Sequence, residues 1–99
     1  MGSTYQIVYW RDIPASIKTR RGRERVNRPL SERFQVAIDA AAMVGRITST
    51  DSYLEEWRSS EWLEAVEEPA ELAERLASQL EADYPDERLE KLKLNQGYE

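Results

Sequence analysis

The spacing of the apolar residues changes once along this chain, and that change constrains the fold more than any other feature. Thr4–Trp10 reads Thr-Tyr-Gln-Ile-Val-Tyr-Trp. This run of β-branched and aromatic residues predicts a strand. Tyr5, Ile7 and Tyr9 fall on one face and Gln6, Val8 and Trp10 on the other. Both faces are largely apolar, which places the strand centrally in a sheet. From Phe34 onward the apolar residues recur at helical spacing instead. Phe34, Ala37, Ile38, Ala41 and Val44 make one stripe, and Leu72, Ala73, Leu76, Leu80 and Tyr84 make another. A sheet-forming start followed by amphipathic helices predicts an α+β fold.

Local signals divide the chain further. Arg11-Asp12-Ile13-Pro14 ends the first strand, since Pro14 cannot donate to a ladder. Residues 16–28 read as a projecting hairpin turning at Arg20-Arg21-Gly22, with Gly22 supplying any positive φ. Ser31 is placed to cap a helix, and Gly45 to stop it. A short helix is expected through Tyr53, Leu54 and Trp57. Residues 59–68 fit a strand or a helical continuation; the Ser59-Ser60 break and Pro69 favour the strand. Pro69 suits the first turn of the next helix, Pro85 ends it, and Asp86–Leu94 forms a last short helix. Residues 95–99 are expected to fray. The expected architecture is a small antiparallel sheet of three or four strands with helices packed on one face, in the order β-β-β-α-α-β-α.

Composition bounds the chemistry. The chain has 99 residues, which suits a single domain spanning residues 1–99. It has no cysteine and no histidine. Disulfides, thiolate nucleophiles, zinc-finger sites and histidine acid–base catalysis are therefore excluded. The P-loop, the dinucleotide fingerprint and the nucleophile elbow are also missing, and no catalytic constellation or cofactor motif replaces them. No apolar run approaches the roughly 20 residues of a membrane span. The N-terminus lacks the pattern of a signal peptide, so the cytoplasm is the expected compartment.

The charge is divided. Residues 1–50 hold nine basic and four acidic side chains, and residues 51–99 hold five and fifteen. The halves thus carry +5 and −10, which sum to the net −5. Such a split suggests either pairing of the halves or separate faces for separate partners. Arg20, Arg21, Arg23, Arg25 and Arg28 concentrate the basic side on the hairpin. Guanidinium grips carboxylates and phosphates bidentately, so these residues are candidates for binding an anion or a partner. The competing reading is a solvated edge, or pairing with the acidic half. Trp10, Arg11 and Trp62 are candidates for an interaction patch, Trp62 being expected as the more exposed aromatic.

One ordered set of residues resembles a known family. Tyr9-Trp10-Arg11-Asp12-Ile13-Pro14, Gly22-Arg23, Leu30 with Arg33-Phe34, Ala37-Ile38-Asp39, Ala42-Met43, then Asp51 with Tyr53-Leu54 and Trp57-Arg58 are similar to the bacterial virulence factor domain. That family is related to a segment of the staphylococcal conserved virulence factor C. The resemblance covers roughly residues 4–84 and implies no catalytic residues. It implies an adaptor or scaffold role with a protein partner. Tyr9, Asp12, Pro14, Arg33, Phe34, Asp39, Met43, Asp51, Tyr53 and Trp57 carry the resemblance and are read as structural. Binding of nucleic acid or a phosphorylated ligand through the Arg-rich hairpin is the alternative.

Overall fold

A computed structural model describes residues 2–99. The fold is α+β, with elements in the order β-β-β-α-α-β-β-α-α. Strands β1 (Ser3–Trp10), β2 (Ile13–Arg21) and β3 (Glu24–Pro29) form an antiparallel meander. Helices α1 (Glu32–Val44) and α2 (Thr50–Glu55) follow, then strands β4 (Trp57–Ser59) and β5 (Leu63–Ala65), and finally α3 (Pro69–Asp83) and α4 (Asp86–Leu94). The sheet runs β3-β2-β1, with β4 and β5 both paired to the far side of β1. β1 is therefore central, as its two apolar faces require. Among the described residues no helix is long and apolar enough to cross a membrane.

The core lies between one sheet face and the helices. Ile7 and Ile17 from the sheet meet Phe34, Ile38 and Ala41 of α1 and Leu72 and Leu76 of α3. α3 packs along both β2 and β3, and the Thr19 hydroxyl, buried in that contact, donates to the Pro69 carbonyl at 2.9 Å. Burying a hydroxyl without a partner costs several kcal/mol, so this bond fixes where α3 begins relative to the sheet. α4 lies against α1 with Leu89 and Leu92 buried. The second helical stripe and the final short helix thus fold as their spacing predicts.

Several local expectations are corrected. Pro14 does not end the sheet. Arg11-Asp12 alone makes the turn, with Arg11 at φ 53°, and β2 resumes at Ile13. Pro14 is tolerated because the β1–β2 register shifts between Val8 and Tyr9, leaving Ala15 as an extra residue. The hairpin is an arm of the sheet covered by α3, and its two-residue turn is Gly22-Arg23, with Gly22 at φ 59°. Positive φ at the first turn position is where glycine is favoured.

Gly45 is not the left-handed residue that ends α1. Its φ is −77°, and Arg46 takes φ 57°. Ile47 N–H donates to the Ala42 carbonyl at 2.9 Å and Arg46 N–H to Met43 at 3.0 Å. These bonds form a Schellman closure with Arg46 where glycine is usual. Ser31 stands at the N-cap position but turns its hydroxyl to Glu81. Trp57 leaves the helix and opens β4 opposite Trp10. Residues 59–68 contribute β5, while the break at Ser60 divides this edge into two short strands.

Residues 95–99 are tied down. Asp12 N–H donates to the Gly97 carbonyl at 2.8 Å, and Glu99 N–H donates to Asp12 Oδ2 at 2.8 Å. Gly97 has φ 90°, and a Cβ there would lie 2.9 Å from Trp10 Cζ3. Glycine thus lets the last residues close over the indole.

Candidate functional site

Strand alternation sorts the basic residues of β2 and β3 onto two faces. On the helix-covered face, Arg21 pairs with Glu68 and Arg28 with Glu74, the latter at 2.8 Å. The bond to Glu74 holds the Arg28 guanidinium above its ordinary value, against the opposing pull of burial. Arg33, at the start of α1, pairs with Glu81 at 3.0 Å and Asp86 at 3.2 Å. The acidic α3 thus neutralises the arginines that point toward it, and the split in charge is partly closed within the chain.

Among the described residues, a hollow on the other face of the β2–β3 arm is lined by strand residues and Trp62 and by no helix. Lys18 and Arg20 of β2 stand opposite Asn27 and Arg25 of β3, and opposite Gln6 and Thr4 of β1. Gln6, Lys18, Arg20, Arg25, Asn27 and Trp62 are among the residues that line this shallow hollow of about 370 Å³. Arg20 lies flat on Trp62, its guanidinium carbon 3.8 Å from the ring centroid. Gln6 is fixed by donating to the Ser60 carbonyl at 2.9 Å. Among the described residues none of Lys18, Arg20, Arg23 and Arg25 has a carboxylate partner. Arg20 and Arg25 are directly opposed across the strands. Their Cβ atoms are then about 5 Å apart, a separation at which like charges repel. An anion seated above them would relieve that repulsion.

The five hairpin arginines therefore do not act as one cluster. Arg20 and Arg25 share the open face, Arg23 occupies the tip, and Arg21 and Arg28 are engaged on the other side. Gln6 and Asn27 also belong to the open face; their two-residue offsets from Val8 and Arg25 carry that information in the sequence. Trp62 is half-buried under Arg20.

Trp10 and Arg11 do not join this surface. Trp10 is fully buried, donates its indole N–H to the Tyr53 carbonyl at 3.0 Å and stacks on the Tyr53 ring. Arg11 lies between the Trp10 and Tyr98 rings, 4.9 and 4.6 Å from their centroids. It pairs with Glu56 at 3.1 Å and donates to the Gln96 carbonyl at 2.7 Å, while its Nε is buried without a partner. These contacts make Arg11 a clamp for the C-terminal segment.

The residues that carry the family resemblance have structural surroundings. Tyr9 lies under the Arg58 guanidinium, and Asp12 accepts from Arg58 at 3.1 Å. Pro14 and Phe34 are buried, and Phe34 meets Tyr84 edge-on. Trp57 meets Tyr53 edge-on. Asp39 is exposed and accepts from Gln35 at 2.9 Å. Met43 and Asp51 are exposed, Asp51 in the first turn of α2. Among the described residues no group of three carboxylates is gathered as a metal site.

A family model described as Virulence factor matches residues 8–92. No curated protein and no solved structure matches the chain.

Proposed function

The chain belongs to the virulence factor family, and because that name records a phenotype and no chemistry, we propose that the domain is a non-enzymatic protein-interaction module whose open sheet face is its binding surface. The observation that carries this reading is the contrast between the two faces. Arginines on one face have carboxylate partners from α3 and from Glu68 at its N-cap, whereas among the described residues Lys18, Arg20 and Arg25 on the other have none and sit beside Trp62. Arginine and tryptophan are enriched where binding energy concentrates. The lack of histidine and cysteine supports a binding role over catalysis. The cytoplasm remains the proposed compartment.

The test is capture from bacterial lysate by the wild type and by a K18E/R20E/R25E variant. Reversal keeps the opposed pair alike in sign; Lys18 and Arg25 are exposed, where substitutions usually change stability by about 0.5 kcal/mol or less, and Arg20 adds the loss of its stacking on Trp62, about 0.5–1 kcal/mol. The variant is therefore expected to fold and to lose the captured protein bands. Bands that persist in the folded variant overturn the reading.

A second reading follows from the stacked Arg20–Trp62 pair. Single-stranded nucleic acids use aromatic platforms beside cations. Nuclease-sensitive material absorbing at 260 nm, lost in the same variant, would favour it. The net charge of −5 weighs against it, since nucleic-acid-binding domains are usually basic.

A further inference from the structure

The reading of the open face as a binding surface, on which this inference rests, leaves the partner's shape unspecified. The outer edge of β3 specifies it. Leu30 N–H donates across to the Ala15 carbonyl of β2 at 2.9 Å. Backbone groups alternate in direction along an antiparallel strand. Glu24, Val26 and Arg28 therefore also turn N–H and C=O toward β2, and Arg25 and Asn27 turn theirs outward. Pro29 falls on the outward parity, where its missing N–H leaves the β2–β3 ladder intact. β3 ends the sheet order. The two residues that present backbone at the free edge are thus the same two that place side chains on the cationic face.

The opposite edge is a poorer template. Ser60 interrupts it, exchanging backbone bonds with Ile7 through its N–H and accepting the Ile7 N–H on its hydroxyl at 2.9 Å. Only three residues pair on either side of that break.

We propose that the β3 edge accepts an extended acidic segment of a partner protein as an added strand. Its backbone would pair with Arg25 and Asn27. A carboxylate on the open-face side would meet Arg25, with Arg23 at the tip and Lys18 one strand further in. Arg20, held on Trp62, adds to the field without reaching the edge. Charge selects this occupant. A second copy pairing through the same edge would bring together two β3 strands that each carry a net positive charge with Arg23, and such charge on an edge deters self-association. An acidic strand converts that penalty into attraction, and strand addition supplies backbone bonds for affinity.

The test uses a labelled nine-residue peptide alternating glutamate and threonine, followed by fluorescence anisotropy at low salt. Two N-methylated forms block the backbone donors of one or the other alternate set. The expected result is binding that one N-methylated form loses by about tenfold or more and the other keeps. R23E/R25E and N27P are each expected to weaken it by about tenfold, with folding checked by circular dichroism. Asn27→Pro removes an outward N–H, and with it the Asn27 side chain, while leaving the β2–β3 ladder bonds in place. The N-methylated peptides test the same bond on the unaltered protein. Equal binding of both N-methylated forms overturns strand addition. Absence of peptide binding also overturns it, and so does tighter binding of labelled oligouridylate. If lysate capture still depends on Lys18, Arg20 and Arg25 in those cases, the proposed function stands and only the strand geometry fails.

Discussion

Glu81→Gln is expected to destabilise the domain by removing the charge that ties the start of α1 to the end of α3. Glu81, at the end of α3, accepts from Ser31 N–H at 2.8 Å and from the Ser31 hydroxyl at 2.9 Å. It also accepts from Arg33 Nε at 3.2 Å and from an Arg33 terminal nitrogen at 3.0 Å. The same Arg33 donates to the Glu81 and Tyr84 carbonyls at 2.8 and 2.6 Å, so the carboxylate holds the start of α1 against the end of α3. Bonds to ionised groups contribute about 1.5–3 kcal/mol when shielded. The Glu81 side chain is 31% exposed, so screening reduces that figure. Glutamine keeps one acceptor and turns an amide donor toward groups that donate. The net loss is about 2 kcal/mol, which for a domain of this size lowers Tm by about 8–16 °C.

The pH dependence separates this account from a packing effect. Burial, the largest single influence, pushes the Glu81 carboxyl up; the Ser31 and Arg33 bonds outweigh it and hold the group below the ordinary value near 4.5. A lowered folded-state value means that the unfolded chain takes the proton first. The stabilisation is therefore complete above about pH 4.5 and disappears as pH falls through the folded value. The difference between wild type and variant at each pH reports the Glu81 carboxylate together with the Arg33 it holds. Urea unfolding of both proteins near neutral pH and near pH 3 gives that difference. A gap below about 0.5 kcal/mol near neutral pH, or a gap unchanged in acid, refutes the reasoning.

Two further substitutions test the packing at the C-terminal end. Gly97→Ala combines a φ of 90° with a Cβ 2.9 Å from Trp10 Cζ3, and is expected to cost at least about 2 kcal/mol in urea unfolding. Faster exchange of the Asp12 amide, which bonds the Gly97 carbonyl, would accompany it. Trp10→Phe removes the indole bond to the Tyr53 carbonyl and leaves part of a fully buried volume empty, for an expected loss of about 2–3 kcal/mol. An unchanged unfolding midpoint would show that the indole is not the closure of this end of the core.

The sequence was legible where one periodicity decided the outcome. The two-sided apolar run at Thr4–Trp10 marks the central strand, and the stripes from Phe34 and Leu72 mark the helices under it. It was least legible where a long-range partner decided. Ser31 has the form of a side-chain cap, yet Glu81, 50 residues away, claims its hydroxyl. Trp57 fits the preceding helix by spacing, yet pairs with Trp10 in the sheet. Residues 95–99 look free until Arg11 and Trp10 give them a floor. Gly45 drew the helix stop to itself because glycine is the usual left-handed residue, while Arg46 takes that conformation. The basic cluster was visible as a composition; its division between two faces required the β2–β3 register.

That division is enforced by the core. Ile17, Thr19 and Val26 must face α3, since Ile17 is fully buried and Thr19 bonds the Pro69 carbonyl. A slip of one residue would send all three to solvent and exchange every arginine between faces. Burial of uncharged side chains therefore decides which cations meet the carboxylates of α3 and which do not. Arg21 and Arg28 are neutralised because they share the parity of Ile17 and Val26. Lys18, Arg20 and Arg25 stay unpaired because they share the other, and the Arg20–Arg25 opposition is retained at a cost that stability alone would remove. A single exchange of Arg25 for threonine would relieve the repulsion and suit a strand better. The domain keeps the arginine on the face of the β2–β3 arm turned away from α3 and beside the free β3 edge, where the proposed acidic strand would pair.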